Sequence, residues 1–257
     1  MIEARTIYIM AYRQIKRFLR AKSRLIGSIV NPVMWLVFFG LGWSSAFSSP
    51  MAKMVFHGLD YMSYLTPGVV MMTIFTASFI GGITVIWDKE FGFLKEILVA
   101  PASRRAVILG RALGDALLAV LQGSITFAIA SLLVGYINPL AIPVLLLAMF
   151  LTAISYACLG SAIGSSVGSV ESFQLINMTI AMPMFFLSGT VMPLYRAPWW
   201  MRTAALAIPL TYGVDACRSA LYGVGMLPLW LDLGVLACIA LAFVFLAAAA
   251  FERTTIS

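Results

Sequence analysis

Few side chains in this sequence are placed to do covalent chemistry. The single histidine, His57, stands in a polar stretch between two apolar segments. It has no HExxH-type partner, so a zinc-protease arrangement is excluded. There is no GxSxG elbow, and no histidine in an apolar segment could act as a base. A GxxxxGK(S/T) phosphate loop is absent too, so this chain does not hydrolyse ATP by the usual P-loop route. Cys158, Cys217 and Cys238 lie far apart in apolar surroundings. They read as buried free thiols, with neither a disulfide framework nor a CxxC metal pair. One stretch does concentrate charge: WDKEFGFLKEILVAPASRR, residues 87–105, with six charged residues between Asp88 and Arg104, followed by Arg105.

The elements around that block are apolar. The chain of 257 residues is 62% hydrophobic and 11% charged, with a mean hydropathy of +0.99. An ordinary soluble domain is roughly 45–50% apolar, so the composition indicates a polytopic membrane protein. A hydrocarbon core about 30 Å thick requires roughly 20 apolar residues per helix. Six segments qualify, at about 25–47, 65–87, 106–135, 141–167, 172–192 and 229–251. Their continuous apolar character argues against a β-barrel, which alternates. The expectation is one all-α membrane domain over 1–257, with no cleavable signal peptide, since no small-residue cleavage site follows a short apolar core.

Orientation follows from the cations. Thirteen of the 17 lysines and arginines fall in the N-terminal segment, in 89–111 and at Arg253; the other four are Lys53, Arg196, Arg202 and Arg218. The positive-inside rule then places both termini and residues 88–105 in the cytoplasm. The same asymmetry accounts for the net charge of +7 without nucleic acid.

Residues 4–22 read as an amphipathic interfacial helix, with Ile7, Ala11, Ile15 and Phe18 on one side and Arg5, Arg13, Lys16, Arg17 and Arg20 on the other. Asn31-Pro32 kinks the first span, and Gly81-Gly82 allows bending or close approach in the second. Arg111 and Asp115, four residues apart, form a neutralised pair or, alternatively, a proton relay. Gly160, Gly164 and Gly168 offer small-residue packing. Glu171 caps the fifth helix or touches a cytoplasmic partner. Residues 193–228 are too broken by Pro193, Pro198, Pro209 and Gly213 to span, and too apolar for a free loop. They read as short re-entrant or interfacial helices on the outer side, with Trp199 and Trp200 in the head-group belt. No internal repeat stands out, and deeply buried charges are scarce, which disfavours a proton- or sodium-coupled pump.

Within the charged block, Trp87, Phe91, Leu94 and Leu98 recur at helical spacing, Asp88, Lys89, Lys95 and Glu96 form the polar surface, and Pro101 ends the helix. A short cytoplasmic helix of this kind can dock into a groove on a soluble protein. A solvated turn between two spans has the same charge, so the block by itself leaves both open.

Two stretches resemble the permease subunits of type-2 ABC exporters, the ABC-2 family, and its drug-export and nodulation-factor-export branch in particular. The first is EFGFLKEILVAP, where Glu90, Gly92, Leu94, Leu98 and Pro101 match the family loop and Lys95 departs from its usual acidic residue. The second is residues 185–218, where Phe186, Leu187, Ser188, Gly189, Pro193, Pro198, Trp199, Pro209, Leu210, Thr211, Tyr212, Asp215 and Arg218 match. The resemblance implies a permease dimer, of one chain or of two paralogues, paired with two copies of a separate ABC ATPase that holds ATP and Mg. This chain itself would carry no cofactor and no catalytic site. Asp88, Lys89, Glu90, Phe91, Gly92, Leu94, Lys95, Glu96, Leu98 and Pro101 would form the ATPase-coupling helix. The second and fifth helices would line the pathway, with Thr76, Phe79, Asn177, Met184 and Phe185 as lining positions. Pro193, Pro209, Tyr212 and Asp215 would belong to an outer cap. The implied activity is export of an amphipathic drug-like or lipid-linked compound across the cell membrane. The alternatives are export of a lipid-linked glycan and an ATP-independent channel or carrier.

Overall fold

The computed structural model describes residues 2–92, 103–134 and 138–252; these are helices and connections, with no strand among the described residues. The chain opens with α1 (Ile2–Arg20) and α2 (Lys22–Trp35). The latter contains Pro32 and runs on through a π-helical stretch, Leu36–Leu41, to Ser44. A short α3 (Pro50–Val55) leads to α4 (Tyr61–Ile80), α5 (Ile83–Glu90) and α6 (Arg104–Ser131). Then come α7 (Ile142–Ser166), α8 (Val170–Leu187), α9 (Trp199–Leu206), α10 (Pro209–Tyr222) and α11 (Leu229–Glu252).

Six helical segments are long and apolar enough to cross a membrane: Ile26–Ser44, Tyr61–Glu90, Arg104–Ser131, Pro139–Ser166, Val170–Leu187 and Leu229–Phe251. This is a multi-pass membrane protein. Local chemistry fixes the helix ends. Asp60 accepts from the Ser63 amide at 3.1 Å to start α4, and Ser103 and Ser169 accept from Ala106 and Ser172 at 3.2 Å to start α6 and α8. Pro209 opens α10, and Gly223, at φ 69°, closes it. Inside the spans, the hydroxyls of Thr66, Thr73, Ser78, Thr126 and Ser155 donate to the carbonyl one turn back, which satisfies them where no water is at hand.

The core lies between α4, α6, α7, α10 and α11. Phe75 sits edge-on to Tyr156, with ring centroids 4.7 Å apart, and edge-on to Phe185 at 5.5 Å. The break between α4 and α5 falls at Gly81-Gly82, where backbones meet. A Cβ on Gly82 would run into the Gly160 carbonyl, and one on Gly164 into the Gly82 carbonyl. Gly168, by contrast, faces open space. On α8 only Phe173 is buried, while Leu175, Met178, Met182 and Phe186 stand exposed.

Residues 193–228 hold two unlike helices: α9 is exposed, with Trp199 79% and Trp200 57% accessible, whereas α10 is buried against α4, α7 and α11. The first helix, α1, packs on α6. Met10, Ala11 and Gln14 are buried, and Gly110 and Gly114 allow the Ile7 and Ala11 backbone to approach, while Tyr8, Tyr12 and Leu19 point away.

Candidate functional site

The charged block begins at the end of α5, and its first residues behave unlike one another. Asp88 is buried, 4% exposed. Arg13 of α1 grips it with two nitrogens, each 3.3 Å from a carboxylate oxygen. Arg17 lies 3.7 Å away, and Arg111 of α6 donates to the same carboxylate. The other Arg111 nitrogen reaches Thr84 Oγ1 at 2.9 Å, which in turn accepts from Gln14 Nε2 at 3.2 Å. Arg111 is itself fully buried, so its charge is held by these contacts and by the nearby Asp115. The next residue, Lys89, donates to the Ser165 carbonyl at the end of α7. Three elements, α1, α6 and α7, are thus tied to one turn of α5.

The segment then leaves the protein. Glu90 is exposed, Phe91 is 81% exposed and Gly92 adopts φ 72°. That left-handed residue ends α5, so the expected continuous helix from Trp87 to Val99 is interrupted at Phe91–Gly92. Asp88 is likewise no part of the polar surface, because α1 supplies partners that local spacing cannot reveal. Leu94, Lys95, Glu96, Leu98 and Pro101 lie outside the described residues. Arg111 does have company in the charge pattern, but its hydrogen bonds go to Asp88 and Thr84 of α5.

Beside this junction a cavity of about 610 Å³ runs between α1, α2, α4, α5, α6 and α8. Of the five positions named above for the pathway, Thr76, Asn177 and Phe185 line this cavity. Phe79 and Met184 do not: Phe79 is fully buried against Phe75 and Phe173, and Met184 packs against the core. Most of α4 is covered within the chain, and of its upper turns only Thr76, Ala77 and Ile80 are open. Gln14, Asn31, Gln122 and Gln174 also line the space; of these the sequence had pointed only to Asn31, and there as part of a kink. Gln122 had a signal, as the only amide side chain in α6.

At the far end of the bundle the second matched stretch forms a knot. Arg218 donates to the Gly189 carbonyl at 2.9 Å and stacks 3.8 Å from the Tyr64 ring centroid. Tyr64 donates to the same carbonyl at 3.0 Å. Asp215 accepts from the Met226 and Leu227 amides at 2.8 Å, and Tyr212 donates to the Leu206 carbonyl at 2.6 Å. Pro209 starts α10, and Pro193 precedes the turn Leu194–Arg196. These residues fasten the ends of α4, α8, α10 and α11 together. Among the described residues no group of three or more His, Cys, Asp or Glu could hold a metal ion.

Comparison with known proteins agrees with this architecture. The chain is 30% identical to the ycf38 protein of Porphyra purpurea over 204 residues, covering 77% of this chain and 68% of that one. It is 27% identical to Nodulation protein J of Rhizobium leguminosarum bv. viciae over 235 residues, 91% and 88% of the two chains. It is 23% identical to the inner membrane transport permease YadH of Escherichia coli K12 over 242 residues, 94% and 92%. The family model for ABC-2 type transporters matches residues 5–222, and the chain belongs to that family of transport permeases.

Proposed function

We propose that this permease is the membrane-spanning subunit of an ATP-driven exporter, working as a pair with two copies of a separate ABC ATPase. Its cargo is an amphipathic compound, drug-like or lipid-linked, and both termini face the cytoplasm. The observation that carries this reading is the contrast at the end of α5. Asp88 and Lys89 are fastened to α1, α6 and α7, whereas Glu90, Phe91 and Gly92 project from the bundle. A force applied to the projecting residues by a soluble partner would act on three helices at once. A partner with different contacts in its two nucleotide states would thereby bias two states of the permease.

Co-purification with an ATPase encoded beside the permease tests the reading. The expected result is a stable complex whose ATPase rate changes at least about fivefold in Glu90→Arg, the low end of an ordinary coupling free energy. Transport that persists without any ATPase would replace this reading with a channel or carrier.

A further inference from the structure

Asp232 is an acid buried where nothing donates to it. It stands in the first turn of α11 and is 0% exposed. Neither of its carboxyl oxygens has a hydrogen-bond partner among the described residues. The donors near it are engaged elsewhere. The amides of Met226 and Leu227, just before α11, go to Asp215 at 2.8 Å. Tyr212 gives its hydroxyl proton to the Leu206 carbonyl at 2.6 Å. Arg218, one turn along α10 from Asp215, donates to the Tyr64 and Gly189 carbonyls. What Asp232 does meet is the Asp215 carboxyl, itself buried.

Two ionised carboxylates in contact are both acceptors, with nothing to donate between them. Burial also removes the water that would screen their repulsion. One hydrogen removes both faults, because a protonated carboxyl donates to its ionised neighbour. Both Asp215 oxygens already accept from backbone amides, so the hydrogen belongs on Asp232. A hard metal ion takes six or more oxygen ligands, and among the described residues no third acid, histidine or cysteine joins these two. Protons have a way in. Asp215 lines a second cavity, of about 240 Å³, whose walls include the exposed His57 and Gly225.

We infer that Asp215 and Asp232 form a proton-binding site, in which one shared hydrogen clasps α10 to the start of α11. The site goes beyond the exporter reading and does not depend on it. The other titratable or charged groups facing the pair are Tyr212 and Arg218 of α10, Tyr64 of α4 and, across the cavity, His57. The helices α6 and α7 also pack on α11 but bring no charge to this end: α7 has no charged residue, and those of α6 lie between 104 and 115. The folded chain thus holds a proton that an unfolded aspartate releases above about pH 4. Stability therefore falls as pH rises, until the pair lets the proton go.

The test uses the purified permease in dodecyl maltoside, a detergent without a carbonyl. A protonated carboxyl shows an infrared carbonyl band that shifts in D2O, and only ten acidic residues compete for it. Wild type should show this band at neutral pH, and Asp232→Asn should lose it. The wild-type melting temperature should fall by at least about 2 °C for each pH unit above about pH 5. Asparagine keeps a donor toward Asp215, so Asp232→Asn should hold its melting temperature and remove most of the slope. Asp232→Leu, with no donor, should melt lower at neutral pH. Histidine ordinarily titrates near neutral pH, so His57→Gln serves as the control and should keep the slope. Absence of the band, or a slope that survives Asp232→Asn, overturns the inference. So does a slope that vanishes with His57, or a stability that follows sodium concentration in place of pH. Should Asp232→Asn fail to fold, Asp215→Asn decides: it keeps the acid and changes its acceptor, so the band must move, and an unmoved band overturns the inference.

Discussion

At the scale of single residues, neighbours in sequence have different duties. Asp88 and Glu90 are both acidic and two positions apart, yet one is 4% exposed among three arginines and the other is exposed. Asp88→Asn would strip the buried Arg111 of its hydrogen-bonded counter-charge and leave it only the nearby Asp115, a loss of up to about 3–5 kcal/mol. The expected outcome is a lower melting temperature of the detergent-purified permease, with much of the loss recovered when Arg111→Met is added. Glu90→Arg should leave the melting temperature unchanged and alter only the partner's ATPase rate. A normal melting temperature for Asp88→Asn would remove the fastening role argued for α5. The identity of the charged block was legible from composition, because seven charges in an apolar chain cannot hide. The division of labour within it was not. Arg13 and Asp88 are 75 positions apart, and no local periodicity encodes such a pairing.

At the scale of elements, close packing is selective among glycines that look alike in sequence. Gly160 and Gly164 face the backbone of the α4–α5 break, while Gly168 faces nothing within 4 Å. Gly160→Val should cost about 1–3 kcal/mol, the usual penalty of overpacking, and lower the yield of folded permease. Gly168→Ala should be neutral in the same thermal assay. Equal behaviour of the two would mean that α7 does not depend on this contact. The spans themselves were readable because hydropathy integrates over about 20 residues, and the expected first and last segments, 25–47 and 229–251, nearly coincide with Ile26–Ser44 and Leu229–Phe251. Which face of a span points inward was not readable. In α4, apolar residues surround the helix, so Phe79 and Thr76 look equally suited to a pathway until their neighbours are known. Segment 193–228 was hard for a related reason. Its prolines mark breaks, but only the knot of Arg218, Tyr64 and Gly189 explains why α10 can be buried.

At the scale of the whole molecule, the uncovered surfaces bear on assembly. Leu175, Met178, Met182 and Phe186 lie three to four residues apart on α8 and form one apolar stripe. In the proposed pair this stripe faces the second copy and the adjoining cavity. A permease carrying Met178→Cys should therefore cross-link to itself in membranes with a short bis-maleimide, whereas Leu241→Cys on α11 should not. Cross-linking only through position 241 would move the proposed contact to α11. The background needs just Cys238→Ala, since Cys238 is exposed and Cys158 and Cys217 are buried. Burial also pushes the Cys217 thiol above its ordinary range, which starves it of the reactive thiolate at neutral pH.

The π-helical stretch Leu36–Leu41 makes α2 tolerant of a change in length in a way its composition conceals. A π turn takes up one residue more than an α turn needs. Removing a single residue between Leu36 and Leu41 would let the helix close into an ordinary α form with its two halves at nearly the same azimuth, so Asn31 would stay at the cavity. The same deletion in the α-helical turn before it would swivel the two halves by about 100° about the shared axis, taking either Asn31 from the cavity or Gly40 from its seat against Met62. The stretch is thus a reserve of one residue, a place where α2 can lose length without changing what it presents.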